Sequence, residues 1–189
     1  MSRPTPSQTV GPFFSMALGH PGENLLVSPD HDGRIRIEGY VYDGAGEYLE
    51  DALLEIWQAD AKGHYRHPDD AGSGAVDGFS GFGRASSDFE TGLYFFETVK
   101  PGPVPDPEGE MQAPHISVVV QGRGILNPYF TRLYFADETD ANRHDLVLGM
   151  VPEDRRPTLI ARPVADTTPP LYRFDIRLQG EDETVFFDF

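Results

Sequence analysis

Arg123 stands between two glycines, in Gln121-Gly122-Arg123-Gly124, at the point where an apolar alternation ends. Flanking glycines strip steric cover from a guanidinium and leave its planar fork able to hold a carboxylate by two parallel hydrogen bonds. An ordinary solvated arginine in a turn is the competing reading. His115 opens the same alternating stretch directly after a proline-rich segment, where a histidine packs, caps or binds metal. His64 and His67 lie three apart in a polar segment with no third donor close by, so they read as a solvated pair rather than a chelate. Trp57, the only tryptophan, shares a strand face with Leu53 and Glu55 and reads as core or interface packing. Phosphate-binding loops, the His-Glu-x-x-His zinc helix and the Gly-x-Ser-x-Gly elbow are absent from the sequence.

The charge balance narrows what such residues could meet. With 31 acidic against 15 basic residues, the net charge is −16. That repels phosphate backbones and argues against nucleic-acid binding. An anionic small molecule would need local positive charge, which returns attention to Arg123. There is no cysteine, so disulfides, thiolate metal sites and cysteine nucleophiles are excluded, in keeping with a reducing cytoplasm. No apolar run is long enough for a membrane span, and Met1 to Pro6 carries no signal-peptide core. A cytoplasmic protein is expected.

The elements that must position these residues are short strands. Arg34 to Tyr42 alternates, with Ile35, Ile37 and Val41 on one face and charged residues on the other. Leu53 to Gln58, Leu93 to Val99, Ile116 to Gln121, Thr131 to Phe135, Phe174 to Leu178 and Val185 to Phe189 read as further strands. Residues 63–84 and 101–114 read as two long loops, and Asp137 to Asp145 as a short helix. The 17 prolines and 20 glycines punctuate these runs without forming low-complexity tracts. The expectation is one all-β domain over residues 1–189, an antiparallel β-sandwich with residues 1–33 as an extended N-terminal arm.

Five segments in register also resemble the intradiol ring-cleaving dioxygenases. They are Leu54-Glu55-Ile56-Trp57-Gln58-Ala59-Asp60, Phe82-Gly83-Arg84, Thr98-Val99-Lys100-Pro101-Gly102, Pro114-His115-Ile116 and Tyr172-Arg173-Phe174-Asp175-Ile176. The likeness runs from Thr5 to Phe189, loose only at 15–33 and 143–157. It is greatest to the two-chain members, in which homologous α and β chains assemble into a larger αβ oligomer. It implies a β-sandwich and O2-dependent cleavage of 3,4-dihydroxybenzoate to 3-carboxy-cis,cis-muconate.

In the iron-bearing chain of such enzymes, two tyrosines and two histidines hold Fe(III). At the matching positions this chain has Gly72 and Val104 for the tyrosines, and His115 and Ser117 for the histidines. An arginine expected shortly before His115 is replaced by Gln112. Ferric iron wants anionic oxygen donors, which Gly72 and Val104 do not offer. His115 is then a lone vestigial ligand position, and the resemblance implies an α chain that binds no metal itself. It implies further that such a chain completes the β chain's pocket through Arg123 and the arm motif Thr9-Val10-Gly11-Pro12, hence through Thr9, Gly11, Pro12 and Arg123. Two other readings compete: a self-sufficient dioxygenase with ligands such as Tyr65, His64 or His67, and a non-enzymatic β-sandwich binding module.

Overall fold

The computed structural model describes residues 4–11, 13–70 and 78–188. In chain order the strands are β1 (Arg34–Gly39), β2 (Val41–Tyr42), β3 (Leu53–Trp57), β4 (Phe82–Ser86), β5 (Tyr94–Val99), β6 (Val104–Pro105), β7 (Met111–Gln112), β8 (His115–Gln121), β9 (Tyr129–Phe135), β10 (Ile160–Val164), β11 (Leu171–Arg173) and β12 (Ile176–Arg177). Short helices α1 (Phe14–Leu18), α2 (Thr139–His144) and α3 (Leu146–Met150) accompany them. Among the described residues no helix is long and apolar enough to cross a membrane.

Eight strands form one sheet in the order β4-β3-β8-β9-β10-β11-β1-β5. The expected antiparallel pattern is broken twice, by the parallel pairs β1 with β11 and β9 with β10. Residues 23–26 run between the two edge strands and nearly close the sheet. Arg84 N on β4 donates to Glu23 O at 3.0 Å, Glu97 N on β5 donates to Asn24 O at 2.9 Å, and Leu26 N donates to Glu97 O at 2.8 Å. An edge so covered offers no open ladder for another chain. The enclosed face carries the core, including Ile37, Leu54, Ile56, Phe96, Ile116 and Val118. Leu26 and Val27 also belong to this core, so the end of the N-terminal segment is built into the fold.

Several elements depart from the sequence expectation. The 63–84 loop ends in β4, whose Gly83 reads as a breaker. A Cβ there would lie 2.5 Å from Leu26 Cδ1, so the glycine makes room for the closing segment. The 101–114 loop contains the β6–β7 hairpin. Helix α3 and strand β10 were not expected, β10 because Pro163 interrupts it. The strand expected over Phe174 to Leu178 is displaced into β11 and β12, which break at Phe174-Asp175, where Tyr94 Oη donates to Phe174 O. The expected last strand reduces, among described residues, to an isolated bridge between Phe187 and Phe130; Phe189 lies outside them.

The end of β3 is tied to the end of β5 by a buried amide. Gln58 Nε2 donates to Val99 O at 2.9 Å and to Ala59 O at 3.1 Å, while its Oε1 accepts from Thr98 Oγ1 at 2.8 Å. Gln58 and Thr98 are both fully buried. Replacing Gln58 by Leu strands two carbonyls and a hydroxyl away from water, at a cost of about 2–4 kcal/mol. Gln58→Leu should therefore lower Tm by roughly 5–15 °C in a thermal scan. A shift within about 2 °C would show that these groups find other partners.

Candidate functional site

Strand β8 carries a chemically distinct feature at each end. It leaves the sheet at Gln121, and Gly122-Arg123-Gly124 turns the chain toward β9. Gly124 takes a φ of +88°, which suits a residue without a side chain. Arg123 remains 56 % exposed, and its Nε is ion-paired with Asp51, whose side chain is 3 % exposed. The N-terminal arm reaches the same turn: Gly124 N donates to Thr9 Oγ1 at 2.8 Å. The structure thus brings Thr9 and Arg123 together. Gly11 lies two residues along, exposed and with open space around its Cα; Pro12 lies outside the described residues.

At the other end, His115 opens β8 on the sheet face opposite the core. Alternation puts Ser117 on this same face, and cross-strand pairing sets Trp57 and Arg132 on either side of Ser117. The His115 ring is buried, and its Nδ1–H donates to Ala113 O at 2.8 Å. Arg132 Nη1 donates to Gln112 Oε1 at 2.8 Å. Tyr134 Oη donates to Asp145 at 3.1 Å, and burial together with that carboxylate raises its phenol above the usual range. Beside this cluster opens a cavity of about 720 Å³ lined by Trp57, Lys62, His64, Tyr65, Val104 and Met111 among others.

Four of the lining residues, Trp57, His64, Tyr65 and His67, had other readings. Trp57 is only partly buried and stacks on Tyr65, ring centroids 5.9 Å apart, so it walls the cavity rather than filling the core. His64 and His67 each lie 3.6 Å from a carboxylate, of Asp70 and Asp69 respectively, and stay partly exposed. Burial raises the Tyr65 phenol, which favours phenol over tyrosinate.

A dioxygenase family model matches residues 10–180. The protocatechuate 3,4-dioxygenase alpha chain of Pseudomonas putida is 44 % identical, the match covering 98 % of this chain and 96 % of that protein. The alpha chain of Burkholderia cepacia is 45 % identical over 97 % and 96 %. The beta chain of the latter organism is 35 % identical over 80 % of this chain and 66 % of its own. This chain belongs to the intradiol dioxygenase family. In structure it resembles the dioxygenase domain of a carbohydrate-binding fusion from Streptomyces sp. SirexAA-E, with a TM-score of 0.60, 26 % identity, and coverage of 97 % of this chain and all of that one.

The intradiol dioxygenase family uses iron, and the residues at the His115 end do not fit it. Val104 and Ser117 offer no anionic oxygen, Gly72 lies outside the described residues and has no side-chain donor, and His115 is left alone. Among the described residues no group of three or more His, Asp or Glu could hold a metal ion. Arg132, across from Ser117, already places a fixed positive charge there, and a ferric ion would have to be held against it. Sequence reasoning missed Arg132 and Asp51. The first was visible as the one charged residue in the Thr131 to Phe135 alternation; the second had no local signal.

Burial, assisted by the Arg132 charge, lowers the His115 imidazole to about 4 against an ordinary 6.5. The folded chain therefore holds it neutral where the unfolded chain protonates it. Stability is fully present above about pH 6.5 and falls as pH drops toward 4, by on the order of 3 kcal/mol. In urea titrations across this window, His115→Asn should remove about that much of the stability change between pH 6.5 and 4. An unchanged difference would assign the pH dependence to other groups.

Proposed function

We infer that this chain works as the α chain of a protocatechuate 3,4-dioxygenase, lending Arg123 and the Thr9 arm to a pocket whose iron is held by a homologous β chain. The observation that carries this is the separation of the two ends of β8. His115 opens β8 and Arg123 lies in the turn two residues past its last residue, Gln121, so the length of the strand, roughly 20 Å at ~3.3 Å per residue, stands between them. Arg123 therefore lies at the end of β8 away from the cavity beside His115, which supports a role at a pocket completed by a second chain. Near-complete alignment with two α chains, at 44 % and 45 % identity, supports the same assignment.

The chemistry asked of Arg123 is electrostatic. Protocatechuate is a carboxylate-bearing anion, and a chain at −16 repels it unless one cation is presented locally. With Nε engaged by Asp51, both Nη groups of Arg123 are left to donate outward to the substrate. The hairpin that carries Arg123 also exposes Leu126, Tyr129 and Phe130, an apolar fringe suited to the β chain. Absence of cysteine agrees with assembly in the cytoplasm. The reading of a self-sufficient dioxygenase is disfavoured by Tyr65, which burial keeps protonated, and by the carboxylate neighbours of His64 and His67.

In the assembled enzyme, Arg123→Ala removes a charge-assisted hydrogen bond from a partly desolvated site, at a cost of on the order of 2–4 kcal/mol. kcat/KM for protocatechuate should fall by roughly thirty- to several-hundred-fold, with iron content and resting colour unchanged. Arg123→Lys should recover only part of this, because an ammonium lacks the planar fork. Wild-type kinetics in the alanine variant would return Arg123 to the solvated-turn reading.

The chain purified alone should carry no stoichiometric iron. Elemental analysis finding close to one tightly held iron per chain would overturn the α-chain assignment in favour of self-sufficiency.

A further inference from the structure

Asp51 enters the function just described only as the ion-pair partner of Arg123, yet its own environment is unusual. It is 2 % exposed, one carboxylate oxygen meets Arg123, and the other, Oδ1, is buried without a hydrogen-bond partner among the described residues. Buried carboxylates normally collect several donors, because an unsatisfied charged oxygen is costly. Here, among the described residues, the charged partner is a guanidinium that is itself more than half exposed. The placement is not accidental in register. Strands β3 and β8 pair with Leu53 across from Gln121 and Leu54 across from Val120. Continuing that ladder two residues past its end sets Asp51 across from Arg123.

We infer that Asp51 is a positioning residue for substrate binding: it fixes the Arg123 guanidinium through Nε so that the Nη edge faces the incoming carboxylate. This rests on the reading of Arg123 as the substrate-holding residue. An arginine gripped at Nε keeps its remaining donors on one edge of the fork, and among the described residues these have no partner. The rotamer freedom that a free arginine loses on binding a ligand is then already lost in the unliganded chain. The turn itself is fixed by its place between β8 and β9, and Thr9 Oγ1 accepts a further hydrogen bond from Gly124 N there.

The test uses the assembled αβ enzyme and steady-state kinetics with protocatechuate. Asp51→Asn keeps the shape and an acceptor but loses the charge. It should raise KM about five- to thirtyfold, less than the loss in Arg123→Ala because the guanidinium itself remains, and leave kcat within about twofold. Combined with Arg123→Ala, it should add nothing further, since Asp51 acts only through that guanidinium. Should Asp51→Asn fail to assemble, Asp51→Leu fills the buried position without a charge and carries the same expectation. Additive losses in the double variant, or an unchanged KM in the single one, would overturn the role of Asp51. Wild-type kinetics in Arg123→Ala would overturn the underlying reading of Arg123 instead, so the two failures are distinguishable.

Discussion

Strand β3 pairs with β8 in the register that sets Leu53 across from Gln121, and the chemistry at both ends of the molecule follows from that alignment. At one end it brings Asp51 to Arg123; at the other it puts Trp57 beside Ser117. A slip of one residue would reverse the faces of every side chain on β8. Ile116, Val118 and Val120 would leave the core, and His115 and Ser117 would enter it. The register is thus held by burial of three β-branched side chains, and the polar residues on the opposite face are carried along with it.

The two ends treat a cation in opposite ways. Arg132 is drawn inward among Gln112, Tyr134 and the neutral His115, across from Ser117. Arg123 is offered outward on a glycine-flanked turn. A lone inward cation has to be hydrogen-bonded to be tolerated, and the side-chain oxygen of Gln112 supplies that at 2.8 Å. The outward cation is instead steered by a buried anion. The proposed division of labour between two chains asks for this arrangement, with no metal-holding group among the described residues at one end and a presented arginine at the other.

How much of this the sequence disclosed depended on whether the signal was local. Arg34 to Gly39 and His115 to Gln121 were legible because strict alternation reports a half-buried strand directly. Phe82 to Ser86 was not, because the need for Gly83 comes from Leu26, more than fifty residues earlier. Arg123 announced itself through its glycines. Thr9 entered only through the family resemblance, since a threonine among prolines carries no chemistry of its own. Asp51 follows Glu50 in what reads as an acidic turn, and nothing near it in sequence hints at a guanidinium seventy-two positions on. Only the pairing register, a property of the whole sheet, makes that contact visible.

Magnitudes separate what the chain organises alone from what needs a neighbour. The Asp51–Arg123 pair joins an almost fully buried carboxylate at the end of a strand ladder to a turn fixed by β8 and β9, so neither group has much further freedom to lose. The arm is different. Residues 4–9 are exposed, and among the described residues the Thr9 bond is the hydrogen bond that anchors them. One such bond contributes a net ~1 kcal/mol, whereas ordering each backbone residue costs about 1–2 kcal/mol. Six residues cannot be held against that cost by one exposed bond. The arm therefore needs additional burial to be held, of the kind a β chain packed over the Arg123 hairpin would provide. On this account the arginine is preorganised before assembly, and the Thr9 side of the pocket forms with it.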